Sequence, residues 1–176
     1  MVQELMEIAN RQGKPFYSFV SEILDHALKV YKSGRSLGEV VEFYEFMDVH
    51  RALGAKIVSS EVFSYLIGKS YPKDGAVLRE KWYEFGRLCG KGLSVKYSRP
   101  IEVIERFLKT KEWELNEVSI VQNGNKVSVK CISSILSGEG TELLASFIDG
   151  LMHELKYRKS GGECLKGIIS LEYEKA

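Results

Sequence analysis

Histidine and cysteine are the side chains that most readily hold metals or act as nucleophiles near neutral pH, and here they are few and scattered. His26, His50 and His153 stand alone, and His153-Glu154 lacks the second histidine one helical turn on that a zinc protease needs. Cys89, Cys131 and Cys164 are far apart, with no Cys-x-x-Cys pair and no Cys/His group at zinc spacing. They read as reduced, buried thiols acting as small hydrophobes. Ser137-Gly138-Glu139-Gly140-Thr141 precedes a helix, whose free amides can take an anion. It lacks the lysine and spacing of a P-loop, so it reads as an ordinary helix start. Nothing matches Gly-x-Ser-x-Gly, a kinase set or a dinucleotide fingerprint. The expectation is binding rather than catalysis, with no catalytic residue, no metal and no cofactor.

Two groups of residues could bind. Lys69, Lys73, Arg79, Lys81, Arg87 and Lys91, continued by Lys96 and Arg99, form a basic tract opposed only by Asp74, Glu80 and Glu84. Tyr71, Trp82, Tyr83 and Tyr97 are interleaved with it, a mixture suited to nucleic acid. The competing reading is a solvated helix face whose aromatics turn to the core. Aromatic and Met positions near 82–85 and 147–152 could instead line a pocket for a small ligand, or form plain core.

The elements that must position these residues follow from length and pattern. A chain of 176 residues with 44% hydrophobic and 28% charged residues is of ordinary globular composition, and at this size it needs no disulfide or metal to hold a core. No apolar run approaches the ~20 residues that span a bilayer. The start lacks the basic and then apolar regions of a signal peptide, which makes the cytoplasm the expected location. Abundant Lys and Glu with scarce Gln is a composition of the archaeal or thermophile type. Charge is uneven: residues 1–50 carry five Lys/Arg against eight Asp/Glu, and residues 51–100 carry ten against four. A polyanion would therefore favour the middle of the chain.

The periodicity predicts a helix over 2–12 ended by Gly13, and a second after Pro15 with Phe19, Ile23, Leu24 and Leu28 at spacings of three and four. Ser36-Leu37-Gly38-Glu39 fits a capping box that opens a third. Residues 55–58 read as a short strand or extended linker. A helix over 60–68, a loop with Pro72 and Gly75, a long helix over 76–97 and another near 101–108 follow. Two strands flank Asn123-Gly124, a tight-hairpin signal. A helix over 141–156 carries Leu143, Phe147, Leu151 and Met152 on so wide a stripe that most of it must be buried. Gly161-Gly162 then reads as a turn and Cys164–Tyr173 as a closing strand. Helices followed by strand, strand, helix and strand give the α+β class.

Residues 8–34, from Ile8-Ala9-Asn10-Arg11-Gln12-Gly13-Lys14-Pro15 through Leu28, resemble the two helices of ribbon-helix-helix proteins, which are dimeric DNA binders. That family places a strand before the first helix, whereas here the helix begins almost at Met1. Residues 75–176 carry Gly86-x-x-x-Gly90 on a helix, the hairpin, Leu143-x-x-x-Phe147-x-x-Gly150-Leu151-Met152, and the segment from Gly162 to Glu174. These resemble the 4-vinyl-reductase domain family, which shares its α/β fold with vesicle-tethering TRAPP subunits. That family is often attached to regulators and is thought to hold small apolar or aromatic ligands. The resemblance implies that Gly86 and Gly90 permit close helix approach and that Phe147, Leu151 and Met152 face an interior or a cavity. Only Gly161-Gly162-Glu163-Cys164 remains of the family's Cys-rich ending, so no paired-cysteine role carries over.

Together these give residues 1–52 as a helical, ribbon-helix-helix-like dimerisation segment and residues 53–176 as a 4-vinyl-reductase-like domain. The function expected is a non-enzymatic, regulator-like homodimer, with transcriptional control through a small apolar ligand as its furthest reach. Trp82, Phe85, Cys131, Phe147, Leu151 and Met152 are the expected pocket. The alternative is a structural or protein-interaction module whose core is filled and which binds neither ligand nor DNA.

Overall fold

A computed structural model of the chain describes residues 1–176 apart from Leu53, Ala55, Ile57, Lys111 and Glu112, and apart from the side chains of Phe46, Val49, His50 and Ala52. Its elements are α1 (Val2–Arg11), α2 (Phe16–Lys32), α3 (Leu37–Ala52), α4 (Ser60–Lys96), α5 (Pro100–Leu108), β1 (Glu117–Asn123), β2 (Lys126–Ile132), α6 (Gly138–Glu154), β3 (Tyr157–Leu165) and β4 (Ile168–Lys175). This is the α+β class, with the N-terminal helices preceding the sheet. The chain divides into two compact units, Met1–Asp48 and Val49–Ala176. The segment 55–58, expected to be extended, includes Ala55 and Ile57 and so lies outside the described residues.

In the N-terminal unit, Gly13 at φ 66° ends α1 with the left-handed residue that only glycine adopts cheaply. Ala9 on α1 and Phe19 on α2 are the buried apolar residues of that pair. The capping box at the start of α3 is formed. The Ser36 amide donates to the Glu39 carboxylate at 2.6 Å, and the Glu39 amide donates to Ser36 Oγ at 3.2 Å. The first of these bonds holds the Glu39 carboxyl below its usual range.

In the C-terminal unit the four strands run antiparallel in the order β1-β2-β4-β3. Strict alternation turns Val127, Val129 and Cys131 of β2 and Ile169, Leu171 and Tyr173 of β4 inward. Helix α6 meets β3 and β4 on one side and α4 on the other, which is why its stripe is buried nearly all round. Ser137 caps α6 by accepting from the Gly140 amide at 3.1 Å. Thr141 Oγ1 accepts from the Gly167 amide at 2.9 Å, fastening the first turn of α6 to the β3–β4 turn.

Helices α4 and α6 cross through glycine. A β carbon on Gly86 would lie 2.1 Å from the Phe147 carbonyl oxygen, and one on Gly150 would lie 2.0 Å from the Tyr83 carbonyl oxygen. At Gly90 the nearest atom, the Leu151 carbonyl oxygen, would be 2.9 Å away. The close approach expected at Gly86 and Gly90 is present, and Gly150 contributes to it from the other helix.

Three expectations need correction. The two helices expected on either side of Pro72 and Gly75 are present as two arms of α4 that meet at a sharp bend at Asp74 (φ −120°, ψ 19°), with no loop between them. Proline inside a helix removes one hydrogen bond and crowds the carbonyl four residues back, which bends a helix as readily as it ends one. Here both arms have apolar surface to bury, at Ile67 before the kink and Leu93 after it. Gly161-Gly162 is not a turn but part of β3, at a register irregularity between Lys159 and Gly161. Gly162 sits at φ 115° with the Ser170 carbonyl oxygen 2.2 Å from where a β carbon would be, so no other residue fits there. The single closing strand is instead a hairpin of β3 and β4, with Gly167 at φ 74° in its turn.

Candidate functional site

The residues most able to form a site are aromatic, and they gather on Phe147. Around its ring lie Trp113 at 5.2 Å between centroids, Phe85 at 5.7 Å and Trp82 at 6.3 Å. Phe63 extends the group by packing on Trp82 at 5.9 Å, and Phe107 meets Trp113 edge-on at 4.9 Å. Four pieces of chain supply these rings: both arms of α4, α5, the connection before β1, and α6. Centroid distances and tilts of this kind are those of favourable aromatic pairs.

The cluster has a sealed side and a half-open one. Phe147 is 0% exposed, and Leu151 and Met152 are 1% exposed, so these three expected pocket residues are core. Trp82 and Phe85 are only half-buried. Cys131 is buried on the inward face of β2, paired with Val118 of β1 and with Ile169 of β4. Trp113 is half-buried, yet its indole Nε1 is shielded from solvent and has no hydrogen-bond partner among the described residues. An indole N–H held out of water without an acceptor is costly. Two open hollows elsewhere, on α2 around Glu22 and His26 and on α1 around Glu4 and Ile8, involve none of these residues.

Sequence reading missed Phe63, Phe107 and Trp113. The tryptophan marks only a change of period in the sequence, and its place beside Phe147 depends on how α5 turns back to β1. Phe63 reaches Trp82 only because α4 bends sharply at Asp74, and helical spacing does not encode that bend.

The basic tract does not act as one patch. Arg79 bonds Tyr71 Oη at 2.6 Å and the Glu142 carboxylate at 2.9 Å, with its guanidinium over the Tyr71 ring. Tyr71 also donates to Glu142, and this triad spans the kink of α4 and ties it to α6. Arg87 pairs at 3.4 Å with Glu84 and with Glu154. Lys69 lies over the Tyr65 ring, and Lys73, Lys81 and Lys91 are exposed. With Lys96, five lysines of the tract remain on the solvent side, and its three arginines are engaged by carboxylates, Arg99 by Glu102 at 3.1 Å.

Among the titratable groups, His153 Nδ1 is hydrogen-bonded to Tyr83 Oη and its ring stacks on that phenol. His26 is exposed on α2, and the His50 side chain lies outside the described residues. Among the described residues no group of three His, Cys, Asp or Glu is placed to hold a metal, and no helix is long and apolar enough to cross a membrane.

Comparison of the chain with family models, with curated proteins and with solved structures finds no match in any of the three.

Burial pushes the Cys89 and Cys131 thiols up to about 12, and it also raises the half-buried Cys164. Only the thiolate reacts with a disulfide reagent, so a raised pKa and a closed environment slow labelling together. At mildly alkaline pH the folded protein is expected to label at Cys164 and to release the other two thiols only on unfolding. Rapid labelling of all three in the native state would show the core open.

Proposed function

We propose that this chain is a non-enzymatic, regulator-like binding protein. In this reading its N-terminal helices associate with a second copy, and its C-terminal unit receives a small apolar ligand at the half-open side of the aromatic cluster. The observation that carries the ligand reading is Trp113. Its indole Nε1 is shielded from solvent with no acceptor among the described residues, and its ring packs on Phe147, as do the half-buried rings of Trp82 and Phe85. A flat apolar molecule bearing one acceptor atom would satisfy the donor and cover the rings. The resemblance of residues 75–176 to ligand-holding 4-vinyl-reductase domains belongs to this proposal and agrees with it. Homodimerisation is supported by the apolar face that α2 leaves open, where Leu24, Leu28 and Tyr31 are 56%, 54% and 59% exposed. Transcriptional control is the furthest extension, and the five exposed lysines of α4 are what supports it.

The sealed state of Phe147, Leu151 and Met152 favours a second reading, an interaction module with a filled core. A matched pair of probes separates the two. Acetophenone and ethylbenzene are close in shape, but only the first carries an acceptor. Both are titrated against the tryptophan fluorescence of Trp82 and Trp113. Saturable quenching by acetophenone, reduced by Trp113→Phe and weaker for ethylbenzene, is expected. No saturable response to either probe would leave the filled-core reading standing.

A further inference from the structure

The two edges of the sheet are built differently. At one edge, β3 carries the devices that keep a strand from pairing with another chain. Arg158 and Lys159 stand on it, its register slips between Lys159 and Gly161, and Gly162 sits at φ 115°. At the other edge, β1 has none of these. Its seven residues pair with β2 without a break, and they include no lysine, arginine, proline or glycine. The two-residue turn Gly124-Asn125 closes on the Asn123–Lys126 pair, so Asn123, Val121, Ser119 and Glu117 exchange hydrogen bonds with β2. The far side of β2 keeps the same alternation. There the bonds to β4 come from residues flanking Lys126 and Ile132: the Lys175 amide donates to the Asn125 carbonyl at 2.8 Å, and the Ser133 amide to the Gly167 carbonyl at 2.7 Å. The main-chain groups of Val118, Ile120 and Gln122 therefore point away from β2, and no described residue bonds them.

We propose that this open edge of β1 pairs antiparallel with the same edge of a second copy of the chain, about a two-fold axis at Ile120, joining the two four-stranded sheets into one. Ile120 is the middle residue of β1, so this register overlaps the whole strand. Val118 then meets the second copy's Gln122, Ile120 meets Ile120, and Gln122 meets Val118. Each of these pairs exchanges two main-chain bonds, which satisfies the groups left open. On the solvent face of the sheet Ser119 meets Val121 and Glu117 meets Asn123, so no carboxylate faces a carboxylate. The half-buried Ile120 pair continues the apolar inner face, and Val121, 48% exposed in one chain, gains a neighbour. A two-fold contact must be complementary to itself in this way. A strand of a different protein would use the same main-chain bonds, but nothing in β1 selects its side chains, whereas β1 matches itself. A contact of seven residues a side is smaller than a standard interface, which makes this a weak, concentration-dependent dimer.

This pairing is independent of the ligand reading and distinct from association through α2. It is tested in the full chain with Leu24→Asp and Leu28→Asp added to remove the α2 face. Hydrogen exchange reads it without touching β1. Between dilute and concentrated solution the amides of Val118, Ile120 and Gln122 should gain protection by about tenfold or more, while those of Ser119 and Val121, already bonded to β2, should not change. Disulfide trapping reads the register. A Ser119→Cys chain mixed with a Val121→Cys chain, both carrying Cys164→Ser, should give a covalent dimer on mild oxidation. Either chain alone should not, because like positions then lie diagonally, roughly 7–8 Å apart. Ser119→Lys with Val121→Lys sets like charges opposite one another and should weaken association about tenfold in sedimentation, whereas Ser119→Glu with Val121→Lys should restore it. Fast exchange of the three outward amides at every concentration overturns the pairing. So does a mixture that oxidises no further than either chain alone, or association equal in the two charge variants.

Discussion

Gly86→Ala is expected to destabilise the C-terminal unit by about 3–5 kcal/mol, near the upper end for a single methyl group. The added carbon would stand 2.1 Å from the Phe147 carbonyl oxygen and 3.0 Å from its carbon. Those are main-chain atoms of α6, so no rotamer change relieves the overlap and one helix must move away from the other. Helix propensity works in the opposite direction by about 1 kcal/mol, since Ala is the better helix former, and is outweighed. Gly150→Ala should cost as much, because its β carbon would stand 2.0 Å from the Tyr83 carbonyl oxygen. Gly90→Ala should be milder, its nearest atom being 2.9 Å away. Gly68, also in α4, has nothing within 4 Å of its would-be β carbon, so Gly68→Ala should stabilise by about 0.5–1 kcal/mol. Denaturant unfolding of the four variants gives the ranking. If Gly86→Ala unfolds with the wild-type midpoint, the helices do not cross where they are placed here.

That ranking also shows what could be read from the chain. Gly86 and Gly90 stand four apart on a strongly patterned helix, and Gly150 stands inside a stripe too wide for a surface helix. Small residues at such positions make sense only where another backbone comes close. The α+β class, the Asn123-Gly124 hairpin and the Ser36–Glu39 capping box were legible for a similar reason. Each depends on neighbours within a few residues. Pro72 and Gly161-Gly162 misled because the local signal is ambiguous. Proline bends or ends a helix according to whether the next turn has a surface to bury, and a glycine pair turns a chain or relieves a bulge according to what lies across the sheet. Both outcomes were decided by contacts distant in sequence, at Leu93 and at Ser170. The candidate site was half legible. Trp82, Phe85 and Phe147 follow from helical spacing on α4 and α6, whereas Phe63, Phe107 and Trp113 reach the same place by routes no spacing encodes. The paired carboxylates of Arg79 and Arg87 were equally hidden, and with them the loss of two arginines from the basic tract.

The substitution that bears most on function is Phe147→Ala, expected to cost about 3–5 kcal/mol. The ring is 0% exposed and touches three others, so its removal forfeits apolar burial and leaves a hole beside Trp82, Phe85 and Trp113. Phe147→Leu, which keeps most of the volume, should cost about 1.5 kcal/mol or less. The difference between these two is the cavity term, and the emission of Trp82 and Trp113 should change with it. A hole lined by aromatic rings stays dry and takes small apolar molecules. A ligand that binds only the folded state raises stability by RT ln(1 + [L]/Kd), so thermal unfolding with and without benzene measures whether space exists. The comparison that matters is between the variant and the wild type. A filled core predicts that benzene stabilises Phe147→Ala and leaves the wild type unmoved. A ligand seat already present at Trp82 and Phe85 predicts that both are stabilised, the variant more strongly because its seat is deeper. Stabilisation of neither would mean that α4 and α6 close over the missing ring. The half-buried state of Trp82 and Phe85 would then be a feature of the surface alone.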